Sequence, residues 1–504
     1  MNMHIKKRLA LGASLFLAAL SMQGQSTTFN VVHYNVSSGF AAGQSVRETP
    51  NGYLVFGLQT QHDTTMQDAT VSRFDHSGQF LGESFLAHPR YETFGASSDP
   101  ISTIPGGVGF IGGWSTFWGG VPIDSARVVR FNIHGDTLWT KLLLSDTIAS
   151  VTEAVAKNSK FYFTGVKVSN AQSSAGVYVM RTDTMANVEL LQTQFVITPN
   201  SMDVDDEGNM YVAGNRNYKG YMIKVDSSGS QVWNRFQPRS EGNWYGIKHM
   251  FGDRLLCMGS WRAYHQPLND TTTMYLCMYD ESGALLWDFE GFTDRGTQGV
   301  TFFTDGYQDS DSTFIVCGPV QRTFWNRALI YRFSADGTPL WQRDYAHFAN
   351  LSALYPEIPW DIEPTSDGGM VLTGESWNQD TIPPYSNVNM WLLKLDAEGC
   401  LVPGCQYVGI NEVTYGLEHA MKVWPNPSDG KVNMNLNLPT GLPLEGDLLL
   451  QVFDANGRLV LRKNLGIHEV QTLSLDLSGQ PAGFYSAHIS DARRILTGSK
   501  IVVQ

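Results

Sequence analysis

Two acidic residues, Asp361 and Glu363, are the best candidates for catalytic chemistry in this 504-residue sequence. They alternate within Trp-Asp-Ile-Glu on a predicted strand, so their side chains share one face. Two carboxylates on one face can act together as a general acid and a general base. The sequence contains no Gly-x-Ser-x-Gly, His-Glu-x-x-His or phosphate-loop motif. Catalysis by this acidic pair is therefore one of two hypotheses.

Two acidic segments resemble calcium-binding loops. Residues 203–208 and 305–311 are rich in aspartate, but neither has the twelve-residue ligand set with its closing glutamate. The cysteines and histidines also lack the paired spacing of a structural zinc site. We therefore predict acidic turns at both segments, and neither a metal site nor a cofactor.

The candidate binding residues are aromatic and lie in long, variable connections between predicted strands. Loops on a rigid scaffold commonly carry binding residues, and aromatic rings there suit sugars or peptide side chains. Large aromatic residues also fill gaps between packed sheets, so packing is the alternative for each of them. The set comprises Trp114, Trp118, Trp244, Trp261, Tyr264, Trp325 and Trp377.

A repeated pattern of short strands determines where these residues lie. Its clearest copy, residues 208–233, reads as strand, loop, strand, tight turn and strand. From Gly78 to Gly399 the turn glycine recurs about every 53.5 residues, which leaves room for four short strands per copy. Seven such units, apolar on both strand faces, predict an all-β fold, a seven-bladed β-propeller over residues 26–408.

Three details of the repeat lead to specific predictions. In the third copy, Asn187 takes the glycine position of the turn, because Asn also enters the left-handed region. The seventh copy lacks a good fourth strand, so we predict that residues 29–34 supply the outer strand of that blade and close the ring. Tryptophans on the fourth strands are predicted to be packing residues, namely Trp139, Trp233, Trp287 and Trp341.

The repeats resemble those of secreted bacterial propellers. The shared pattern is Asp-Gly-Gly, strand, Gly, followed by strand, Lys-x-Asp-x-x-Gly-x-x-x-Trp, and it is clearest in residues 366–374 and 221–233. The resemblance covers about residues 28–400 and implies the propeller fold. It implies almost nothing about function, since one fold hosts many activities.

Charge and the N-terminus restrict the location and the partners. The net charge of -13 argues against a nucleic-acid partner, because nucleic acids bind cationic surfaces. Residues 1–25 read as a secretory signal peptide, with Lys6, Lys7 and Arg8 before an apolar run at 9–20 that is short for a membrane span. We predict no transmembrane segment once this peptide is cleaved.

The cysteines fit a compartment that permits disulfides. Cys400 and Cys405 flank Leu-Val-Pro-Gly, a turn that can fold one sulfur back onto the other, and we predict a local disulfide between them. Cys257 and Cys277 lie in consecutive predicted strands, where they either pair with each other or are buried thiols.

The C-terminal part of the chain follows a different pattern after a linker at residues 409–420. Short strands separated by turn residues predict a small Ig-like β-sandwich over residues 421–504. The order of its motifs resembles the C-terminal sorting domain of the type IX secretion system: Pro-Asn-Pro, Asp-x-x-Gly-Arg, Pro-Ala-Gly-Phe-Tyr and a basic residue before the final strand. These motifs rest on Pro425, Asn426, Pro427, Gly430, Asp454, Gly457, Gly483, Tyr485 and Lys500.

This resemblance implies export through the periplasm and across the outer membrane of a Gram-negative bacterium. In this family the module is recognised by the type IX secretion machinery at the outer membrane and is usually cleaved, and the cargo is released or attached to the cell surface. A generic Ig-like adhesive module is the alternative.

Together these patterns favour a non-catalytic propeller, secreted or held at the cell surface, that binds a glycan or a protein through its aromatic loops. The alternative is a secreted polysaccharide hydrolase or lyase that uses acidic residues of the propeller channel. The two hypotheses differ in one structural requirement, since the enzyme needs Asp361, Glu363 and a further titratable residue to converge at the channel.

Overall fold

The computed structural model of the chain is built from β-strands, and it contains no α-helix within the residues that it describes. Those residues are 27–33, 40–60, 67–86, 91–94, 100–118, 121–122, 126–144, 148–168, 175–195, 197–239, 241–265, 269–295, 301–322, 325–347, 357–377, 388–402, 405, 411–414, 420–438, 444, 446–455, 457–466, 470–491 and 494–504. The predicted signal peptide at 1–25 lies outside them. In these ranges no helix is long and apolar enough to span a membrane.

The first strand, β1 (Phe29–His33), is followed by strands that fall into consecutive sheets. Blade one contains β2 (Ala41–Thr49), β3 (Gly52–Thr60), β4 (Gln67–Phe74) and β5 (Phe80–Phe85). Blade two contains β6 (Tyr91–Phe94), β7 (Ile101–Thr103), β8 (Phe110–Trp118), β9 (Val121–Pro122), β10 (Arg127–Phe131) and β11 (Thr137–Leu142). Blade three contains β12 (Ile148–Ala149), β13 (Glu153–Lys157), β14 (Lys160–Val168), β15 (Ala175–Thr182) and β16 (Val188–Phe195).

The remaining blades repeat the four-stranded plan. Blade four contains β17 (Thr198–Val204), β18 (Met210–Arg216), β19 (Lys219–Val225) and β20 (Gln231–Phe236). Blade five contains β21 (Glu241–Met250), β22 (Arg254–His265), β23 (Asn269–Asp280) and β24 (Leu285–Arg295). Blade six contains β25 (Asp305–Ser310), β26 (Thr313–Arg322), β27 (Trp325–Ser334) and β28 (Pro339–Tyr345). Blade seven contains β29 (Glu357–Pro364), β30 (Met370–Trp377), β31 (Val388–Leu395) and β1. The predicted seven-bladed propeller is confirmed.

The ring is closed by the two ends of the propeller chain, as predicted. β1 pairs antiparallel with β31 from Phe29 opposite Lys394 to His33 opposite Met390. The side chain of Asn30 strengthens this closure, because its Oδ1 accepts a hydrogen bond from Trp391 Nε1 at 2.7 Å. Blade seven therefore joins the first and last strands of the propeller in one sheet.

A repeated aspartate turn joins the third and fourth strands of the blades. Asp226 Oδ1 accepts two backbone N–H groups, two and four residues later, both at 2.9 Å, and Gly229 has a φ of 92°. The tryptophan of the preceding blade covers such a turn, since a Cβ at Gly283 would lie 3.2 Å from the indole of Trp233. The same packing unites Trp287 with Gly337 and Trp341 with Gly399, while Trp139 packs on the core of blades two and three. The predicted packing role of these tryptophans is confirmed.

The turn of repeat three differs from the prediction by one residue. Ala186, with a φ of 57°, occupies the left-handed position, and its N–H donates to the carbonyl of Asp183 at 3.0 Å. Asn187 follows it and bonds with both carboxylate oxygens of Asp183. The prediction that Asn187 takes the glycine position is therefore wrong. The reason is the local register of the turn, because Ala186 follows Asp183 by three residues just as Gly229 follows Asp226, and its N–H makes the same bond.

The cysteines follow the predicted scheme. Cys400 and Cys405 form a disulfide, and Cys257, Cys277 and Cys317 are buried thiols. Cys257 and Cys277 are directly opposite each other on β22 and β23, yet they are not bonded. Burial raises the pKa of Cys277 to about 12, so this thiol stays protonated and unreactive.

The C-terminal module is a sandwich of two sheets. One sheet contains β33 (Met421–Trp424), β34 (Lys431–Asn437) and β37 (Val470–Asp476); the other contains β35 (Leu448–Asp454), β36 (Leu459–Gly466), β38 (Gly483–Ser490) and β39 (Arg494–Val503). Apolar residues of both sheets form one core, with Met434, Leu450, Ala487 and Ile501 fully buried. Within the predicted linker, β32 (Asn411–Thr414) pairs in parallel with β28 of blade six and with β39.

Candidate functional site

The two predicted channel acids meet a buried arginine. Nη1 of Arg47, on β2, lies 2.9 Å from Asp361 Oδ2 and 3.1 Å from Glu363 Oε1. Its Nη2 donates to the carbonyl of Ile101 in blade two. A further titratable residue therefore converges with the two acids, but it is a guanidinium that keeps its proton and neutralises them.

Asp361 also belongs to a series of blade-to-blade contacts. Its Oδ2 accepts the backbone N–H of Val46 in blade one at 2.6 Å. Three other junctions use the same arrangement, and in one of them Asp305 of blade six accepts from the N–H of Ile362 in blade seven at 3.4 Å. Glu153 accepts from the N–H of Met202 at 2.8 Å, and Asp203 accepts from the N–H of His249 at 2.6 Å. An acid that recurs in this role at several junctions holds neighbouring inner strands together.

The predicted aromatic residues have different environments. Trp244 is fully buried and stacks on Tyr275, with ring centroids 5.8 Å apart and planes at 7°. Trp244 is therefore a core residue, and its predicted binding role is incompatible with this burial. Trp261 and Trp377 are partly exposed. For four predicted residues the structure describes the strand but not the side chain: Trp114, Trp118, Tyr264 and Trp325.

One depression lies between blades four and five on the loop face, the side of the propeller that carries the connections between second and third strands and between blades. It has a volume of about 330 Å³, within the usual range of small-molecule sites. Its lining is rich in amide, hydroxyl and charged groups and contains two tyrosines. The residues are Thr198, Asn200, Asn215, Tyr218, Glu241, Gly242, Asn243, Tyr245, Ser260 and Arg262.

Tyr218 stands out in this depression because its backbone is in the left-handed region. The β18–β19 connection is a two-residue turn in which Asn217 has a φ of 52° and Tyr218 a φ of 61°. Asn suits such a turn, whereas a bulky aromatic residue is an outlier there. The ring gains no burial in return, since Tyr218 is 80% exposed. Strain without a packing benefit points to a functional role.

The turn is fastened to the next blade. Gly242 N–H donates to the carbonyl of Tyr218 at 3.0 Å, and Asn215 Nδ2 donates to the carbonyl of Gly242 at 3.0 Å. The N–H of Tyr218 donates to Asn215 Oδ1 at 3.1 Å. These bonds fix the backbone that carries the exposed ring relative to blade five.

Two further amides supply hydrogen-bonding capacity at the rim. Asn200 Nδ2 donates to Asn243 Oδ1 at 3.0 Å and to the carbonyl of Trp244 at 2.7 Å. Among the described residues, Asn200 Oδ1 and Asn243 Nδ2 have no protein partner, so one acceptor and one donor remain. Glu241 and Arg262 are directly opposite each other on β21 and β22 and add one charge of each sign.

Buried polar atoms near the depression also lack protein partners. Gln237 is 1% exposed, and neither its Oε1 nor its Nε2 has a partner in the described part of the chain. The side chain lies beside Gly242, which lines the depression, and beside Gly220. The indole nitrogens of Trp244 and Trp261 are likewise buried without a partner there. Such groups are rare in folded proteins and are commonly satisfied by water or ligand.

An aromatic row continues from the depression towards blade seven. Tyr245 stacks on Phe302 with centroids 4.1 Å apart, and Phe302 lies 6.3 Å from Trp360. Asn200, Tyr245 and Trp360 are each skipped in the pairing of their inner strands, and Asn200 and Tyr245 contact the next blade. β-bulges redirect side chains in this way.

Sequence reasoning missed most of this surface. Tyr218 lay in what reads as a short polar gap, and the two-residue spacing between strands was the available signal for a tight left-handed turn. This two-residue turn between β18 and β19 also contradicts the expectation that the connections carrying binding residues are all long. Asn200 and Asn243 gave no local signal, because their neighbours come from other strands.

The sorting motifs hold the C-terminal sandwich together. Asn426, between two prolines, donates from Nδ2 to the carbonyl of Lys500 at 2.6 Å and accepts from the N–H of Val502 at 2.8 Å. It thereby fastens the Pro425–Pro427 turn to β39. The hydroxyl of Tyr485 donates to the carbonyl of Pro481 at 2.5 Å, and Lys500 Nζ lies 3.8 Å from the ring centroid of Phe484.

The glycines and aspartate of the motifs form turns. Gly430 has a φ of 94°, and a Cβ there would lie 2.6 Å from the Cα of Ser478. Asp454 Oδ1 accepts the N–H of Arg458 at 2.9 Å around Gly457, whose φ is 75°. Gly483 opens β38 opposite Val503.

No cluster of three or more histidine, cysteine, aspartate or glutamate side chains in the described ranges could hold a metal ion.

Comparisons with known proteins identify the C-terminal module. Residues 422–504 match the family model described as secretion system C-terminal sorting domain, as the motif order predicted. No curated protein matches the chain.

Similar solved structures include the Dos1 propeller, with 8% identity and a TM-score of 0.41 over 71% of this chain and 80% of that one. A protein of unknown function from Dyadobacter fermentans has 11% identity and a TM-score of 0.39 over 62% and 95%. An acylaminoacyl peptidase from Pyrococcus horikoshii has 8% identity and a TM-score of 0.41 over 81% and 59%. At these TM-scores the similarities carry no argument about function.

Proposed function

The chain carries a type IX secretion sorting domain behind a β-propeller, and from this premise we propose that it is an exported, non-catalytic protein that binds a glycan at the depression between blades four and five. The sorting domain implies an interaction with the type IX machinery and delivery to the cell surface or the extracellular space. The propeller is then the part that meets a ligand there.

Tyr218 is the observation that carries this proposal. Its ring is 80% exposed on a strained turn that is hydrogen-bonded to blade five. An exposed aromatic face is suited to the apolar face of a sugar ring. Because the backbone that carries it is fixed before binding, little backbone entropy is lost when the ligand arrives.

The groups around Tyr218 favour a hydroxyl-rich ligand. The remaining acceptor of Asn200 and donor of Asn243 can each pair with a hydroxyl group, which is both donor and acceptor. Ser260, Glu241 and Arg262 add further polar contacts. A volume of about 330 Å³ is at the lower end for ligand sites, so the depression suits one or two sugar units rather than a protein surface.

The arrangement of Asp361 and Glu363 does not favour the catalytic alternative. A general acid must hold a proton near neutral pH, whereas a nearby positive charge favours the ionised form of a carboxylate. Arg47 supplies that charge to both acids.

The test is a binding screen of the purified full chain against neutral, acidic and amine-bearing oligosaccharides, measured by isothermal titration calorimetry. For any glycan that binds, Tyr218→Asn should lower the affinity at least about tenfold, which is about 1.4 kcal/mol. The same change should raise the stability of the protein, because Asn suits the left-handed turn that Tyr218 strains.

Phe484→Ala is the matched control, since it removes another exposed aromatic ring, in the sorting domain, and should leave the affinity unchanged. Binding that is indifferent to Tyr218→Asn would contradict the proposed site. Cleavage of any oligosaccharide in the same panel, abolished by Asp361→Asn, would favour the hydrolase or lyase instead.

A further inference from the structure

A second feature of the loop face is a carboxylate held by two tryptophans. Glu375, on β30, accepts the indole N–H of Trp360 on Oε1 at 2.9 Å and that of Trp377 on Oε2 at 3.0 Å. All three side chains are partly exposed. Val371, on the same face of β30, packs in a core shared with blade one, so the cluster lies at the junction of blades seven and one. None of its three residues lines the depression between blades four and five, although Trp360 is at the far end of the aromatic row that begins there at Tyr245.

The hydrogen bonds leave binding capacity on the carboxylate. An ionised carboxylate offers about four lone-pair positions, and the two indoles use two of them. No lysine, arginine or histidine in the described part of the chain forms an ion pair with Glu375. Asp361, on the neighbouring strand, does have such a partner in Arg47. A partly buried negative charge without a counter-charge is unfavourable, so a cation supplied from outside would be attracted.

The tryptophans add a second attraction for a cation. The face of an indole ring binds ammonium and guanidinium groups through its quadrupole, and tryptophan is the best of the aromatic residues for this. Both ring orientations are fixed by the bonds from Nε1 to Glu375. Trp360 also lies 6.3 Å from Phe302, which limits its freedom further.

We propose that Glu375, Trp360 and Trp377 form a binding site for an organic cation with N–H donors, a primary ammonium or a guanidinium group. The carboxylate accepts hydrogen bonds from the cation, and the indole faces flank it. Such a group occurs on lysine and arginine side chains and on amino sugars. This site goes beyond the proposed glycan depression and does not depend on it.

The experiment uses small probes on the full chain, followed by tryptophan fluorescence and saturation-transfer NMR. Methylguanidinium and the methylamides of Nα-acetyl-lysine and Nα-acetyl-arginine test the amino-acid source, and glucosamine tests the sugar source. N-acetylglucosamine is the neutral match for glucosamine, and tetramethylammonium is a cation without N–H donors. We expect the cations with N–H donors to bind saturably, with an affinity at least tenfold higher than that of these two controls.

Variants assign the binding to the cluster. Glu375→Gln should weaken cation binding at least tenfold, and Trp377→Ala, which leaves the charge in place, should weaken it severalfold. Glu363→Gln removes another acid of blade seven and should have no effect. Tyr218→Asn should also have no effect, so a failure of the glycan proposal is distinguished from a failure of this one. Cations that bind no better than neutral probes, or equally well to Glu375→Gln, overturn the proposal.

Discussion

Acidic side chains obtain their hydrogen bonds differently on the two faces of this propeller. The turn face carries the tight turns between third and fourth strands, and the loop face is the opposite side. On the turn face, Asp226 accepts hydrogen bonds from within its own turn. These bonds, first that of the Ser228 hydroxyl and then that of the Ser230 N–H, keep the pKa of Asp226 below its usual value. On the loop face, Glu375 accepts from Trp360 on another strand, and burial raises its pKa despite the indole bonds.

The two cases differ in where the hydrogen-bond partners lie in the sequence. The partners are local in the turn, within a few residues, and non-local on the loop face, where they come from other strands. The hydrogen-bond donors of a turn aspartate lie within the same five residues. The turn can therefore recur in blade after blade, and its surroundings do not depend on the rest of the ring. Glu375 and Arg47 obtain their partners only when strands or blades meet. Substitutions of such non-local residues should therefore change the stability more. A ligand can also bind at these residues, because it can supply a further partner.

The largest effect is expected at the non-local ion pair. Arg47→Ala leaves the fully buried Asp361 without its counter-charge and removes a contact that links blades seven, one and two. Removing one partner of a buried pair commonly costs about 3–5 kcal/mol. Chemical denaturation followed by tryptophan fluorescence should show this loss in the free energy of unfolding.

Arg73→Ala is the control for that experiment. Arg73 pairs with the largely exposed Asp136 at 3.0 Å, and exposed pairs contribute about 0–1 kcal/mol. Both pairs join neighbouring blades, so this control isolates the burial of the ion pair, and equal losses for Arg47→Ala and Arg73→Ala would show that burial does not determine its contribution.

The next effect depends on pH and concerns Glu375. Its pKa in the folded protein is raised above 4.5, the value expected when unfolded, so the folded state holds its proton more tightly. Stability from this group is therefore complete below about pH 4.5 and is lost as pH rises through the folded-state pKa. Glu375→Gln removes this loss but gives up one indole bond, at a cost of about 1–3 kcal/mol.

Unfolding curves of both proteins measured from pH 4 to pH 8 check this prediction. The advantage of the wild-type protein over Glu375→Gln should be greatest at the acidic end and should shrink as the pH rises. A difference that is constant, or that grows with pH, would mean that Glu375 gains rather than loses stability on ionisation.

A smaller effect is expected in the repeated turns. Gly337→Ala forces a side chain into a left-handed position with a φ of 87°, which costs about 1–2 kcal/mol, and it directs the new Cβ to within 2.7 Å of the indole of Trp287. Gly368→Ala has a similar φ of 84° but no atom within 4 Å of its new Cβ. Thermal unfolding should therefore show a greater loss for Gly337→Ala than for Gly368→Ala.

The smallest effect is expected at Ala186. Ala186→Gly relieves the left-handed strain but removes a buried methyl group worth about 0.8 kcal/mol, so the two changes nearly cancel. The stability should stay within about 1 kcal/mol of wild type. Ala213→Gly, at a fully buried position in β18 without strain to relieve, should cost more. A large loss at Ala186 would show that its packing outweighs its strain.

Much of the fold was predictable because its signals are local. The Asp-x-x-Gly turn and the strand periodicity lie within short segments, so their repetition gave the number of blades and the missing strand that β1 supplies. The Cys400–Cys405 disulfide and the Pro-Asn-Pro segment of the sorting domain were local in the same sense. The error at Asn187 was one of register, because the third residue after Asp183 is Ala186 and it occupies the left-handed position of the turn.

The sequence by itself determined the architecture and the export signal of this protein, because turns, strand patterns and sorting motifs are written in contiguous residues. Only the tertiary structure decided which side chains meet: Arg47 with Asp361, Glu375 with two tryptophans, and Tyr218 with the rim of blade five. Trp244, on the first strand of blade five, and Trp377, at the end of the second strand of blade seven, were predicted for the same role, yet one is buried and the other partly exposed. Burial depends on residues that are distant in the chain, and no local pattern records them.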